Sequence, residues 1–433
     1  MIRSRQALEA HLAAGRSLAG ETLEGFELDG FVAEGLDLTG STWIGVRARG
    51  ARITASVWSR ARLERVDFQG ADLSRSQCAE LDASSAEGAA GNDLRGVIID
   101  QAFLRGADFR GAALAGASFQ ASMLERASFE RAAAAGAAFT SSVLRGARMA
   151  QADLTGANLD RVIVAGADLS GARLEGASLQ YVNLGDCRLA GATLTGADLT
   201  RVVAPQLDFR PLGAPRDLTE AQIMGAQLAS MDLRGVVLAR ARLAAADFTG
   251  ADLSGADATA ADMPGANLAG ARLRGTGLSH VNLQGADLSG ALLEGTDLTS
   301  ANLAGARLTG ASFERAVMDG AVWMGADLTG ARFASGALRG IVLGGVRIEG
   351  ARFDGFDLEG TNLEGADLPG ASFAGARLVH ANLSHARLVG ADFTGAQLDG
   401  ADLSYAHLEG TSFEGCSREG LNLTGAVLKD VAE

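Results

Sequence analysis

Lysine is almost absent from this chain, and Lys429 is its only example. A phosphate-binding P-loop needs a lysine after its glycine-rich turn, so this nucleotide-binding motif is excluded. Histidine is also rare, and metal-ligand spacing is lacking among the histidines of the repeats described below, which are His280, His380, His385 and His407. We therefore predict no cofactor and no metal site, and we predict that the protein is not an enzyme.

Long apolar runs are missing as well. No stretch approaches the ~18 apolar residues of a membrane span. Residues 1–15 carry Glu9 and His11 where a signal peptide needs an apolar core. The sequence therefore predicts no membrane span, and it predicts either a cytoplasmic location or export without a cleaved leader.

Cysteine is scarce, with three residues in a chain of 433. The odd number gives no indication of a disulfide framework. Cys78, Cys187 and Cys416 all fall at positions that the repeat turns inward. Buried, reduced thiols are therefore favoured over a metal or redox role.

A five-residue pattern of the type Ala-Asp-Leu-Ser-Gly fills most of the chain. Its central apolar residue recurs at Leu283, Leu288 and Leu293, with a small residue two positions earlier, as at Ala286 and Ala291. A helix of 3.6 residues per turn would spread a period of five around its circumference, and strict alternation fails because the apolar spacing runs two, three, two, three. A short extended segment followed by a glycine-containing turn fits the pattern.

A second period, of twenty residues, is marked by phenylalanine. It appears at Phe313, Phe333, Phe353, Phe373, Phe393 and Phe413. Four pentapeptides then make one four-sided coil, and we expect these six rings to form a single stacked interior ladder. Charge follows the same period, since the residue before the central one alternates in sign through Asp287, Arg307, Asp327, Arg347, Asp367 and Arg387. Such residues would lie about 4.8 Å apart on neighbouring coils.

The repeat resembles that of the pentapeptide-repeat family, whose consensus is Ala-(Asp/Asn)-Leu-x-x. The matching triplets include Ala71-Asp72-Leu73, Ala157-Asn158-Leu159, Ala251-Asp252-Leu253 and Ala401-Asp402-Leu403 within residues 16–428. The resemblance implies an all-β fold, a right-handed quadrilateral β-helix of about 20 coils stacked as one solenoid. It implies no single activity, because a fold does not dictate a function.

The chain divides by register and composition. A short helix is predicted for Arg5 to Ala14, with Leu8 and Leu12 on one face and Gly15 at its end. This helix would cap the first coil. The predicted segments are a capping helix at 1–15, β-helix at 16–78, 94–209 and 218–428, irregular segments at 79–93 and 205–217, and a tail at 429–433.

The two irregular segments shift the central residues by one position. Ala79 to Asp93 contains one residue too many, and the proline-rich stretch Pro205 to Asp217 restores the first register. Both are expected to be protruding or distorted corners. A tolerated insertion without a partner and a partner-binding loop, which the resemblance implies for some members, both stay open. The candidate protein-binding residues here are Glu80, Asp82, Glu87, Asp93, Pro211 and Pro215.

The last coil, Glu409 to Leu428, is predicted to be an association surface. It puts Arg418 in a core position, followed by Glu419, and both are candidate binding residues. The resemblance to gyrase-inhibiting members implies a dimerising C-terminal helix that this sequence does not show. An uncovered coil exposes strand edges and apolar side chains, so the end is frayed, paired with a second copy, or docked on a partner. Pairing with a second copy to form a homodimer is the simplest way to bury this coil.

The acidic balance, with a net charge of −14 and a pI near 4.9, argues against direct binding of nucleic acid. The resemblance also implies an alternative function, that of a DNA mimic that binds or protects a topoisomerase such as gyrase. DNA carries about one charge per 1.7 Å, or about 60 over ~100 Å, so a chain with 14 net charges is a poor copy of it over its whole length.

The leading hypothesis is a non-enzymatic scaffold for protein partners that the sequence does not identify. The opening Leu18-Ala19-Gly20 and the long repeat resemble proteins that accompany bacterial type VI secretion clusters. The alternative is the gyrase-binding DNA mimic. Continuous acid along one face would favour the mimic, whereas alternating charge and an exposed apolar end would favour the scaffold.

Overall fold

A computed structural model describes residues 1–83, 92–333 and 341–432. They fall into two compact units. Unit 1 comprises Met1–Ala204 and Pro211–Asp217, and unit 2 comprises Pro205–Arg210 and Leu218–Glu433. Across the described ranges, no helix is both long and apolar enough to cross a membrane.

Each unit is a right-handed quadrilateral β-helix, as predicted. The Leu288 N–H donates to the Arg307 carbonyl on the next coil at 2.7 Å, and equivalent bonds recur at the same spacing along the repeats. Between sides the chain turns, and the Ala291 N–H closes one such turn on the Leu288 carbonyl at 3.0 Å. Gly290 stands in this turn at φ +66°, a left-handed conformation that glycine adopts without steric cost.

Three-residue strands form two of the four sides at the start of unit 1. They are β1 (Thr22–Glu24), β2 (Val32–Glu34), β3 (Thr42–Ile44), β4 (Arg52–Thr54) and β5 (Arg62–Glu64). The parallel order is β1-β3-β5 on one side and β2-β4 on another, with Leu23 opposite Trp43 and Trp43 opposite Leu63. In the later coils each side is a single bridged residue between two turns.

The interior is filled by the central residue and the small residue two positions before it. Leu288 and Ala286 are both fully buried. Cys78 is fully buried too, but Cys187 and Cys416 are only half-buried, so the prediction of three buried thiols is wrong for these two. Cys416 lies in the last described coil, where no further coil covers it.

The predicted N-terminal helix is confirmed as α1, Arg5–Ala13, with the Ser4 hydroxyl accepting the Ala7 N–H at 3.1 Å as an N-cap. Leu8 is 1% exposed. The residues before α1 are not helical, unlike the predicted segment 1–15. Ile2 donates to the Thr22 carbonyl at 2.6 Å, and its own carbonyl accepts from Glu24. The first coil is therefore covered partly by an added extended rung.

The two irregular segments change the length of a coil. Asp67 pairs with Asp93, a separation of 26 residues instead of 20, so this coil holds six extra residues rather than the predicted one. The repeat has a period of five, so register alone cannot distinguish one extra residue from six. At the proline-rich stretch Asp198 pairs with Asp217, a separation of 19, so that coil is one residue shorter.

The six phenylalanines from Phe313 to Phe413 stack in sequence inside unit 2. Centroid distances between neighbours are 4.9 to 5.3 Å except between Phe333 and Phe353, where the rings are 6.4 Å apart and tilted by 31°. Phe333 is also the one half-buried ring of the six. The ladder is thus regular from Phe353 onward and loosened at Phe333, which directly precedes the segment outside the described ranges.

Candidate protein-interaction surfaces

The acidic candidates around the insertion do not form one cluster. Glu80 is an exposed corner residue with φ +56°, Asp82 is half-buried on the side that follows, and Asp93 lies on the next side. Asp93 is paired with Arg95 at 2.6 Å, and this hydrogen bond lowers the pKa of the carboxyl group. Glu87 lies outside the described residues. The described acidic candidates are therefore separated from one another on the surface.

A buried asparagine closes the coil that carries the insertion. Asn92 Nδ2 donates to the carbonyls of Leu63 at 2.8 Å and Ala83 at 2.9 Å, and its Oδ1 accepts the Val66 N–H at 3.1 Å. Sequence reasoning missed this residue. The available signal was an amide at the small inward position before Leu94, where the repeat usually has alanine.

The proline-rich segment is distorted but does not leave the coil. Pro211 is exposed and Pro215 is buried. The Arg216 N–H donates to the Ala197 carbonyl at 2.9 Å, whereas in a regular coil the donor is the residue directly before the central one, as in the bond from Asp198 to the Ala177 carbonyl. Gly213, at φ +86°, adopts a backbone conformation that suits the tighter path of this shorter coil. Of the two candidates in this segment, only Pro211 is accessible to a partner.

The last coil exposes apolar side chains. Leu428 occupies a central position but is 53% exposed, and Val427 is 41% exposed. Arg418 and Glu419 are both exposed, so Arg418 does not enter the interior despite its core position. The backbone of Glu419 is held by Asp399, whose Oδ1 accepts its N–H at 2.8 Å. This coil combines an ordered backbone with an incompletely covered core.

Acidic and basic side chains alternate along one side of unit 2, from Asp287 to Arg387. Arg307 Nη1 lies 3.6 Å from the Asp287 carboxylate on the neighbouring coil, and Arg387 Nη1 lies 3.0 Å from Asp367. A hydrogen bond from Thr329 lowers the pKa of Asp327, which stands between arginines in the same ladder. Negative charge on this side is therefore interrupted at every second coil.

Unit 1 carries an exposed row of hydrophobic side chains, here called the apolar stripe: Phe103, Met123, Val143 and Ile163. These residues pair in succession on four neighbouring coils. Phe103 is 56%, Met123 40% and Ile163 45% exposed, and Val143 is half-buried. The position they occupy is polar or charged at most other coils. Sequence reasoning missed the stripe, although its twenty-residue spacing was visible.

A family model described as pentapeptide repeats, in eight copies, matches more than half of the chain. The matched residues are 49–77, 93–122, 122–161, 167–203, 221–257, 237–275, 251–290, 276–315, 306–345, 343–378, 357–395 and 391–430. The chain belongs to the pentapeptide-repeat family. Pentapeptide-repeat proteins are generally structural or interaction proteins. Among the described residues of this one, no His, Cys, Asp or Glu cluster suits a metal ion.

Similar solved structures include other pentapeptide-repeat proteins. HetL, involved in heterocyst differentiation regulation in the cyanobacterium Nostoc sp. strain PCC 7120, is 24% identical over 75% of this chain and 96% of its own, with a TM-score of 0.14. A protein of the Arabidopsis thaliana thylakoid lumen is 34% identical over 25% of this chain and 66% of its own, with a TM-score of 0.15. QnrB1, a plasmid-mediated fluoroquinolone resistance protein, is 20% identical over 42% and 90%, with a TM-score of 0.16. No curated protein sequence matches the chain.

Proposed function

We propose that this pentapeptide-repeat protein is a non-enzymatic scaffold for protein–protein interaction. The observation that carries the proposal is the alternation of charge along one side of unit 2, from Asp287 to Arg387. Asp287 and Asp367 each face an arginine on the following coil at 3.6 Å and 3.0 Å. These ion pairs are exposed, and exposed ion pairs contribute little to stability. Their regular order is therefore better explained as a feature of an interaction surface.

The same alternation separates the scaffold from its alternative, a DNA mimic that binds gyrase. DNA presents an unbroken line of negative charge, about one per 1.7 Å, whereas here arginine interrupts the line. A neighbouring side is largely amide, with Asn302 Nδ2 donating to Asn282 Oδ1 at 3.2 Å. Both sides favour contact with proteins of mixed surface charge.

The proposal includes self-association through the last coil. Val427 and Leu428 would leave water when a second copy covers that coil, and the exposed strand edge would gain backbone partners. A cytoplasmic location, or export without a cleaved leader, belongs to the same proposal. So does an accessory role in a bacterial type VI secretion assembly.

Pull-down of the full chain from its native host, followed by mass spectrometry, tests the proposal. We expect protein partners, or the chain itself, whose recovery falls with Leu428→Asp. The matched control is Val317→Asp, since Val317 is 48% exposed on a side of the same unit. Equal recovery with both variants would contradict a role for the last coil.

A supercoiling assay with purified gyrase separates the two functions. We expect no effect of this protein on supercoiling. Inhibition or protection of gyrase, from a protein that light scattering shows to be a monomer, would replace the scaffold by the DNA mimic.

A further inference from the structure

We propose that the apolar stripe of unit 1 binds the apolar stripe of a second copy of this chain, with the two copies related by a two-fold axis that reverses the order of their coils. The interface goes beyond the scaffold proposal, since it needs neither the last coil nor a foreign partner. It rests on two features of the described residues. One is the row of exposed hydrophobic side chains, and the other is the charge of the corners beside it.

The stripe is a continuous surface. Four successive coils at about 4.8 Å each place Phe103 and Ile163 about 14 Å apart, with Met123 and Val143 between them. Large hydrophobic side chains that are exposed singly are ordinary, but a contiguous row marks a contact surface. No described residue of this chain covers the row, because three of its four side chains are at least 40% exposed.

A two-fold axis between the second and third coils matches the apolar side chains. It runs parallel to the short sides and reverses the order of the coils in the second copy. Phe103 then lies opposite Ile163 of the second copy, and Met123 opposite Val143. Each large side chain faces a β-branched one, so the two rows have complementary bulk.

The same axis brings opposite charges together at one of the two corners. On the corner that follows the stripe, Glu125 comes to face Arg145 of the second copy, and this pair occurs twice. On the preceding corner, Asp100 comes to face Asp160 of the second copy, with Arg161 beside it, so this corner adds no net attraction. Among the described residues, Glu125 and Arg145 form no ion pair within their own chain, whereas the Arg161 guanidinium lies over the Tyr181 ring at 5.2 Å. The two Glu125–Arg145 pairs therefore favour a second copy.

The balance of charge disfavours other occupants. An anionic membrane surface or a strongly acidic peptide would require a basic border, but Asp100 and Glu125 stand in the border together with the arginines. The stripe is small beside a standard interface, which buries about 800 Å² per partner. We expect a weak dimer that forms at high protein concentration.

Charge reversal tests the pairing specifically. The experiment uses the full chain with Leu428→Asp in every variant, so that association through the last coil does not contribute. By sedimentation equilibrium, we expect this parent to form dimers and Glu125→Arg and Arg145→Glu to be monomers, because each change places like charges opposite one another. An equimolar mixture of the two variants should recover the dimer, because each repelling pair becomes an attracting one.

The apolar row is tested by Ile163→Ser, which should shift the equilibrium to monomer. Its matched control is Ile98→Ser, since Ile98 is 39% exposed on the neighbouring side and should leave the dimer unchanged. Unchanged circular dichroism and melting temperature show that each variant is folded.

Three results would overturn the proposal. They are a parent that stays monomeric at every concentration, charge variants that dimerise as the parent does, and a mixture that remains monomeric. The second result would point to a parallel arrangement, in which Glu125 and Arg145 do not meet. None of these results bears on the last coil, which is assayed in the chain that retains Leu428.

Discussion

Replacement of Phe393 by alanine should remove one of the most stabilising side chains of unit 2. Its ring is fully buried and lies between Phe373 at 4.9 Å and Phe413 at 5.3 Å, nearly parallel to both. A buried Phe→Ala change costs about 3 to 5 kcal/mol when the gap cannot close. The hydrogen bonds between coils hold the backbone in place, so the cavity left by the ring cannot close. Two stacked ring contacts are also lost together. We therefore expect the free energy of unfolding to fall by about 4 to 5 kcal/mol.

Phe333→Ala provides the matched control, because it removes the same atoms from the same ladder. Phe333 is half-buried, stacks on Phe313 at 5.0 Å, and is 6.4 Å from Phe353. We expect about half the loss at this site, since part of the ring is already in water.

Urea unfolding followed by circular dichroism measures both losses, and hydrogen exchange around each site shows whether the effect is local to neighbouring coils. Equal losses at the two sites would refute the reasoning from burial. A loss below about 1 kcal/mol for Phe393→Ala would refute the view that the ladder is core.

Three further predictions concern the coil closure, the acidic ladder and the thiols. Asn92→Ala should lower the free energy of unfolding by about 1 to 3 kcal/mol or more, because it leaves buried backbone groups unpaired, and urea unfolding measures the change. The lowered pKa of Asp327, due first to its hydrogen bond from Thr329, means that the folded state binds this proton less readily than the unfolded state. Stability from this group should therefore be complete above about pH 4 and fall as the pH drops below it, and Asp327→Asn should flatten the dependence of the urea midpoint on pH. Burial raises the pKa of Cys78 to about 12, so we expect alkylation of the native protein at about pH 8 to label Cys416 first and spare Cys78, as mass spectrometry of peptides would show.

The regular part of the fold could be predicted from the sequence because its signal is repeated many times. The inward direction of Ala286 and Leu288 follows from a spacing that no helix or ordinary strand accommodates. The structure confirms that direction for both residues. The pairing of Ile2 with β1 had no such signal, since it occurs once and depends on how the chain enters the first coil.

The irregular features were predicted less completely, for a related physical reason. A period of five gives the length of an insertion only to within a multiple of five, so the extra residues before Asp93 were undercounted. Asn92 contacts backbone groups that are distant in sequence, and only the closed coil brings them to one side chain. Phe103 and Ile163 were visible at the right spacing, but their exposure followed only after the inward positions had been assigned.

The coil that carries the insertion has a practical consequence for protein engineering. Asn92 Nδ2 is bonded to the Ala83 carbonyl at 2.9 Å, so the ends of the inserted segment are held together. Asp67 and Asp93, on the same side, remain paired across the extra residues. A foreign peptide grafted between Ala83 and Asn92 would therefore leave every later side of unit 1 in its place. Five residues added within a regular coil would instead rotate everything that follows by one side. The position between Ala83 and Asn92 is therefore suited to displaying an epitope or a binding loop.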